Sequence, residues 1–298
     1  AQTVRSRSLL YFLTFLCMAN FGMNSILCRA ALVWYGMGPL QYTAIRCLSG
    51  AVMLALICSL RLADRGHAGT VKEAFREAFA QSSWLGGAFL FGYMFCFSLC
   101  YVDMPAAAGT LILNVSVQFG MIGWGLWAGM RPNGGQTAGL FLATGGLVAL
   151  LMPGLEVPPL VNGLLMMGSG LCWSGYSLCG RRSTSAGLAT VGNFLRASVF
   201  ALAAGLSALY LEAAPSLPAL CCALTAGALC SGLGYILWYA IVTRYTLVAS
   251  SVIQLSVPIL TAFMGLWILD EALTVRLAVC SVLILGGICL TVLAGARR

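Results

Sequence analysis

Charge is what this sequence lacks. Only 8% of its 298 residues are charged, with 8 acidic side chains and one histidine, while 60% are hydrophobic. A water-soluble chain of this length carries far more charge on its surface, so an integral membrane protein is expected. No Asp or Glu falls in the interior of any long apolar run, and His67 lies in a polar loop. That removes the buried relay through which proton-coupled carriers commonly pass protons. It also removes the buried anion that a cationic drug needs in exchange for its lost hydration. The 13 cysteines show no CxxC and no paired spacing of a metal site. They are read as small, reduced hydrophobes, and no metal or cofactor is expected. HExxH, GxSxG and a buried acid pair are missing as well, which leaves a membrane enzyme without its nucleophile or ligands.

What is present is apolar sequence at bilayer length. Ten stretches are predicted to span, roughly 9–31, 39–60, 84–102, 105–129, 135–153, 160–180, 188–210, 217–243, 246–268 and 274–295. Leu9 to Cys28, behind Arg5 and Arg7, resembles a signal peptide. Its counterpart Val161 to Cys179 sits in mid-chain, so the first stretch is kept as a helix. With the N-terminus cytoplasmic, Arg5, Arg7, Arg61, Arg65, Lys72, Arg76, Arg131, Arg181, Arg182, Arg244, Arg297 and Arg298 all fall on the cytoplasmic side. The opposite loops hold Asp103, Glu156, Glu212, Asp270 and Glu271, with Arg29 and Arg276 near helix ends. This alternation supports the orientation and explains the formal charge of +8 without nucleic acid. Both termini are then cytoplasmic. Between the second and third spans, Val71, Ala74, Phe75, Ala78 and Phe79 share a face opposite Lys72, Glu73, Arg76 and Glu77. That spacing predicts a short amphipathic helix lying on the cytoplasmic membrane surface.

The chain also repeats. Leu111 to Trp127 aligns without gaps on Ser251 to Trp267: Ser116, Val117, Gly125, Leu126 and Trp127 recur as Ser256, Val257, Gly265, Leu266 and Trp267. Asn114 becomes Gln254, and Gln118 becomes Pro258. Arg46 parallels Arg196, Gly92-Tyr93 parallels Gly234-Tyr235, and Gly145-Gly146 parallels Gly286-Gly287. Each copy holds five spans, an odd number, so the second must enter the membrane inverted. The expected fold class is therefore an all-α integral membrane protein of ten transmembrane helices as two inverted five-helix repeats. The first would cover residues 1–156, with an insertion at about 61–83, and the second 157–298. Secondary transporters are built this way, with the site at the midplane between halves.

In this arrangement, with Pro258 followed by the run Gly265 to Thr274 (GLWILDEALT), the chain resembles the ten-span EamA-type branch of the drug/metabolite transporter superfamily. Within that branch the aromatic-lined spans and the amides of spans 1 and 4 most resemble bacterial aromatic amino acid exporters of the YddG type. The resemblance implies an exporter of the bacterial inner membrane working by alternating access. Its expected substrates are amino acids, aromatic or otherwise apolar, and related metabolites. A multidrug or other small-metabolite exporter is the alternative within the superfamily.

Polar and aromatic side chains on otherwise oily spans mark the expected lining. Asn20 and Asn24 share one helix face, as do Asn114 and Gln118, and Gln254 and Ser256 sit in the matching part of span 9. Amides offer donors and acceptors to a carboxylate and an ammonium. Tyr93 and Phe97, Trp173 and Tyr176, and Tyr235 and Tyr239 form aromatic faces for an apolar side chain, and their π-clouds suit an ammonium. Of these, the expected substrate contacts are Asn20, Asn24, Tyr93, Phe97, Asn114, Gln118, Trp173, Tyr176, Tyr239, Gln254 and Ser256. Arg46 and Arg196 either bind a substrate carboxylate or cap carbonyls and snorkel. Pro258 removes one backbone bond in span 9 and serves either as a gating bend or as a static kink. The expected partners are a small-molecule substrate, the lipid bilayer and a second copy of the chain, through the nearly apolar spans 5 and 10.

Overall fold

The computed structural model describes the backbone of residues 2–64, 71–129, 131–152, 159–180, 183, 185–242, 244 and 253–296. Among the described residues the regular structure is helical throughout: α1 (Gln2–Arg29), α2 (Pro39–Asp64), α3 (Val71–Gln81), α4 (Trp84–Cys100), α5 (Ala106–Trp127), α6 (Gly134–Leu151), α7 (Leu160–Gly180), α8 (Ala186–Leu211), α9 (Leu217–Thr225), α10 (Gly234–Val242), α11 (Ser256–Ile268) and α12 (Val275–Ala296). A π-helical segment, Ala30–Trp34, extends α1, and a second, Ala226–Leu233, joins α9 to α10 into one stretch. Six stretches are long and apolar enough to cross a membrane, or seven if α3 and α4, bent by 82°, count as one. The four that would complete ten, α4, α6, α7 and α11, fall short on their own in length or hydropathy.

Local chemistry sets the helix ends. Ser83, Ser185 and Ser216 each accept the backbone N–H that opens α4, α8 and α9, as N-caps do. Asn133 and Gln136 form a reciprocal capping box on α6. Gly36 and Gly129 take positive φ of 63° and 86° at turns, which a side chain would resist. Large apolar side chains face outward along most of the helices, among them Phe12, Phe141, Tyr210, Val275 and Val282. In water such a surface would aggregate; in lipid it is solvated.

The helices pair across the two halves. α6 packs on α12, α4 and α5 on α7, α2 on α8 and on the second π segment, α8 on α4, and α1 on α10 and α11. Exchanging the first five predicted spans for the second five leaves this set of neighbours unchanged. The aligned stretches behave alike too: Gly125 and Gly265 are buried, whereas Trp127 and Trp267 are 79% and 80% exposed. α6 and α12 meet at close range because Gly139 and Gly146 present backbone to Gly287 and Ile284, small residues doing what they do between membrane helices.

Two expectations change. The amphipathic α3 does not lie on lipid alone. Its buried Ala74 and Ala78 face α8, where Gly192 leaves room for the Ala78 carbonyl. Pro258 was expected midway along a continuous span 9. Instead the helix is interrupted at Leu255, and Pro258 falls in the first turn of α11. Proline is tolerated there because the first N–H groups have no intrahelical partner in any case.

Candidate functional site

The site is built around one residue of α2. Arg46 lies about 10 Å along the helix from Pro39, and its side chain is fully buried at 0% exposure. Nε donates to Ser231 Oγ at 3.2 Å, and that hydroxyl donates to the Ala226 carbonyl at 3.0 Å. Nη2 donates to the Tyr93 hydroxyl at 3.1 Å. The guanidinium carbon stands 5.3 Å from the Tyr93 ring centroid and 4.8 Å from that of Phe97, within cation–π range. Nη1 is buried and has no partner, and neither has the buried hydroxyl of Tyr42, one turn earlier on the same face. The π segment Ala226–Leu233 places Ser231 here. Its wider turns bring Gly227 so close that an added Cβ would fall on the Arg46 carbonyl and Ser49 Oγ. Such segments recur at functional positions in helices.

Aromatic rings run outward from Arg46 in both directions. Tyr93 meets Phe97 at 5.6 Å between centroids, and Phe97 meets Tyr101 at 4.6 Å. On the other side Tyr93 meets Trp173 at 4.8 Å, Trp173 meets Tyr235 at 5.2 Å, Tyr235 meets Phe21 at 6.2 Å, and Phe21 meets Trp238 at 6.1 Å. Trp173 also touches Tyr176 at 5.5 Å, whose hydroxyl shares a 3.0 Å hydrogen bond with Thr190. Eight rings, from α1, α4 and its C-cap, α7 and α10, thus form a ladder with the Arg46 guanidinium beside its middle.

The expected site residues divide into two groups. Arg46, Tyr93, Phe97, Trp173 and Tyr176 come together. Asn20 joins them: its Nδ2 donates to the Cys230 carbonyl at 3.3 Å, beside Gly234 and Tyr235. Asn24, one turn on, is buried with Oδ1 unpartnered. The others are held elsewhere. Asn114 turns its amide onto the Thr110 carbonyl of its own helix at 2.8 Å, and Ser256 donates to Ile253 at 2.7 Å. Gln118 and Gln254 are half-buried, and among the described residues neither hydrogen-bonds to the ladder. Arg196 lies apart: Nη2 caps the Phe79 carbonyl at 3.1 Å, and the group stacks on Phe79 and Trp84. The side chain of Tyr239 lies outside the described residues. Phe21, Tyr42, Ser231 and Trp238 were not singled out from the sequence as lining. Tyr42 was detectable, since a tyrosine four residues before a lone arginine shares its helix face.

The acids do other work. Glu271 accepts from Arg29 Nε at 3.0 Å and from the Ala106 N–H at 2.7 Å, closing the α1 end onto the start of α5. Arg29 Nη1 continues to the Tyr101 and Val102 carbonyls. Glu212 accepts the N–H groups of Leu40 and Gln41, each at 2.9 Å, at the start of α2. Both carboxylates sit on helix N-termini, where the dipole favours them, and both tie one half of the chain to the other. Glu271→Ala strips Arg29 and α5 of a partner that is 13% exposed. It is expected to cost about 2 kcal/mol, read as a lower thermal midpoint in detergent. Glu271→Gln, which can still cap α5, should recover part of the loss.

Among the described residues no group of three or more His, Cys, Asp or Glu could hold a metal. The fold and the site together define a polytopic membrane protein with a buried arginine in an aromatic interior and, among the described residues, carboxylates held near helix ends. Comparison with known proteins gives the class a family. Residues 162–293 match the EamA-like transporter family. An uncharacterized protein of Pseudomonas aeruginosa, PA1977, is 41% identical over 281 residues, covering 93% of this chain and 92% of its own. The chain therefore carries an EamA-like transporter domain over residues 162–293. A solved crystal structure superposes with a TM-score of 0.65 over 97% of this chain and 99% of its own, at 19% identity, a likeness of fold alone.

Proposed function

We propose that the protein is a secondary transporter of the bacterial inner membrane that exports amino acids, aromatic or otherwise apolar, and related metabolites by alternating access. The observation that carries this reading is the aromatic ladder with Arg46 beside it. It offers flat apolar surface for a side chain and a buried cation for a carboxylate. The two halves, 1–156 and 157–298, act in this proposal as inverted copies enclosing the site, which the exchangeable helix pairing supports. Both termini would face the cytoplasm. A cationic drug finds no carboxylate near the ladder among the described residues, which disfavours a multidrug exporter.

The test is flux in liposomes that hold only this protein. Labelled phenylalanine and tryptophan should cross saturably and compete with each other, and flux should persist when the proton gradient is collapsed. Tyr93→Ala should reduce flux while leaving the protein folded. Absence of flux for any amino acid would refute the reading. Complete loss on collapsing the proton gradient would overturn its uncoupled form.

A further inference from the structure

We infer that the site at Arg46 recognises a carboxylate and, among the described residues, offers an ammonium group no anionic partner. It then prefers monoanions with an apolar or aromatic body, such as deaminated relatives of amino acids, over the amino acids themselves. This rests on the reading of the ladder as the substrate site and narrows it.

The first ground is uncompensated charge. A guanidinium buried without an anion is costly, and among the described residues no carboxylate touches Arg46. Glu271 is held by Arg29 and α5, Glu212 by the start of α2, and Asp103 lies near Asn162 at the end of α4. Asp270 is exposed, as are Glu73 and Glu77 on α3. The second ground is unused donors. Arg46 carries five N–H groups. Its Nε and Nη2 reach only neutral hydroxyls, and Nη1 reaches nothing. The Tyr42 hydroxyl on the same face is also unused. Several unpaired donors beside one buried positive charge suit the two oxygens of a carboxylate.

The third ground concerns the ammonium. The sequence had offered it the faces of Tyr93, Phe97, Trp173, Tyr176, Tyr235 and Tyr239, and the guanidinium already stands over Tyr93 and Phe97, the two rings nearest to it. A second cation there would meet a like charge in a poorly screened interior. Asn24 Oδ1, buried and unpartnered on α1, is a single neutral acceptor against the three donors of an ammonium. The remaining rings, Trp173 and Tyr235, offer apolar surface for the rest of the molecule.

The experiment is a calorimetric titration of the purified wild-type protein with three matched probes: phenylalanine, 3-phenylpropanoate, which lacks the ammonium, and 2-phenylethylamine, which lacks the carboxylate. The acid should bind at least as tightly as the amino acid, and the amine at least about tenfold more weakly. Equimolar sodium chloride should leave the acid titration unchanged. Arg46→Gln should weaken acid binding about tenfold or more while leaving the weak amine binding in place. Should that variant not fold, Arg46→Lys, which keeps the charge but not the fork, should fall between. An amine that binds as well as the acid overturns the inference while leaving an amino acid carrier standing. So does an amino acid that binds where the acid does not. Displacement by chloride reassigns the site to small inorganic anions and overturns it as well. If the acid binds and phenylalanine does not, the inference holds and the amino acid reading falls. If none of the three binds, both fall.

Discussion

A valine at Gly227 is expected to abolish flux and most of the folded protein. The two backbones meet there with no space for a side chain, since even a Cβ would fall on the Arg46 carbonyl and on Ser49 Oγ. Overpacking against a flexible side chain costs typically 1–3 kcal/mol; here the obstruction is main chain, and at least about 3 kcal/mol is expected. The separation of α2 from Ala226–Leu233 would also pull Ser231 from Arg46 Nε. Gly227→Ala should show the same defect in milder form. The control is Gly145→Ala on the exposed face of α6, where an added Cβ meets nothing within 4 Å. That change should be neutral or stabilise by up to about 1 kcal/mol through helix propensity. Size-exclusion profiles and thermal midpoints of the three variants would check the order.

Trp173→Ala carries the second large effect. Trp173 joins the two arms of the ladder, with Tyr93 on one side and Tyr235 and Tyr176 on the other. Truncation should cost about 3 kcal/mol of stability and reduce flux at least about tenfold, because the rings it separates no longer form one surface. Trp173→Phe should retain much of both. Trp267→Ala is the matched control, at 80% exposure and outside the ladder, and should transport like the wild type. Equal losses from Trp173→Ala and Trp267→Ala would mean that tryptophan removal harms insertion in general and that the ladder is not special.

How much of this was legible depended on whether local pattern survived into the structure. From the sequence Arg46 and Arg196 stand alike between substrate binding and capping, and the structure seats Arg46 among the rings and Arg196 on the Phe79 carbonyl. Tyr93 with Phe97, and Trp173 with Tyr176, were read from helix spacing and do share faces. Span 8 turns on two tyrosines. Tyr235 and Tyr239 were both noticed, and only Tyr239, whose side chain lies outside the described residues, was given to the lining. The ladder contains Tyr235, presented just after a π segment whose wider turns shift the phase of every later side chain. A spacing rule built on 3.6 residues per turn cannot see such a shift. Asn114 was read as reaching inward, yet its amide bonds the carbonyl four residues back, a local competitor that sequence does not rank. Pro258 looked like a mid-helix bend because the interruption at Leu255 carries no composition signal of its own. The apolar face of α3 was visible, but what covers it was not: periodicity gives a face, and only tertiary contact says whether lipid or α8 lies against it.

That no carboxylate lies beside Arg46 among the described residues bears on what drives the cycle. If the passenger is a monoanion, each outward trip carries one negative charge across the membrane. A bacterium keeps its interior electrically negative, and that voltage favours the departure by about 2.3 kcal/mol for every 100 mV. Voltage alone would then hold internal levels of the passenger below external ones, with no need for a carboxylate relay.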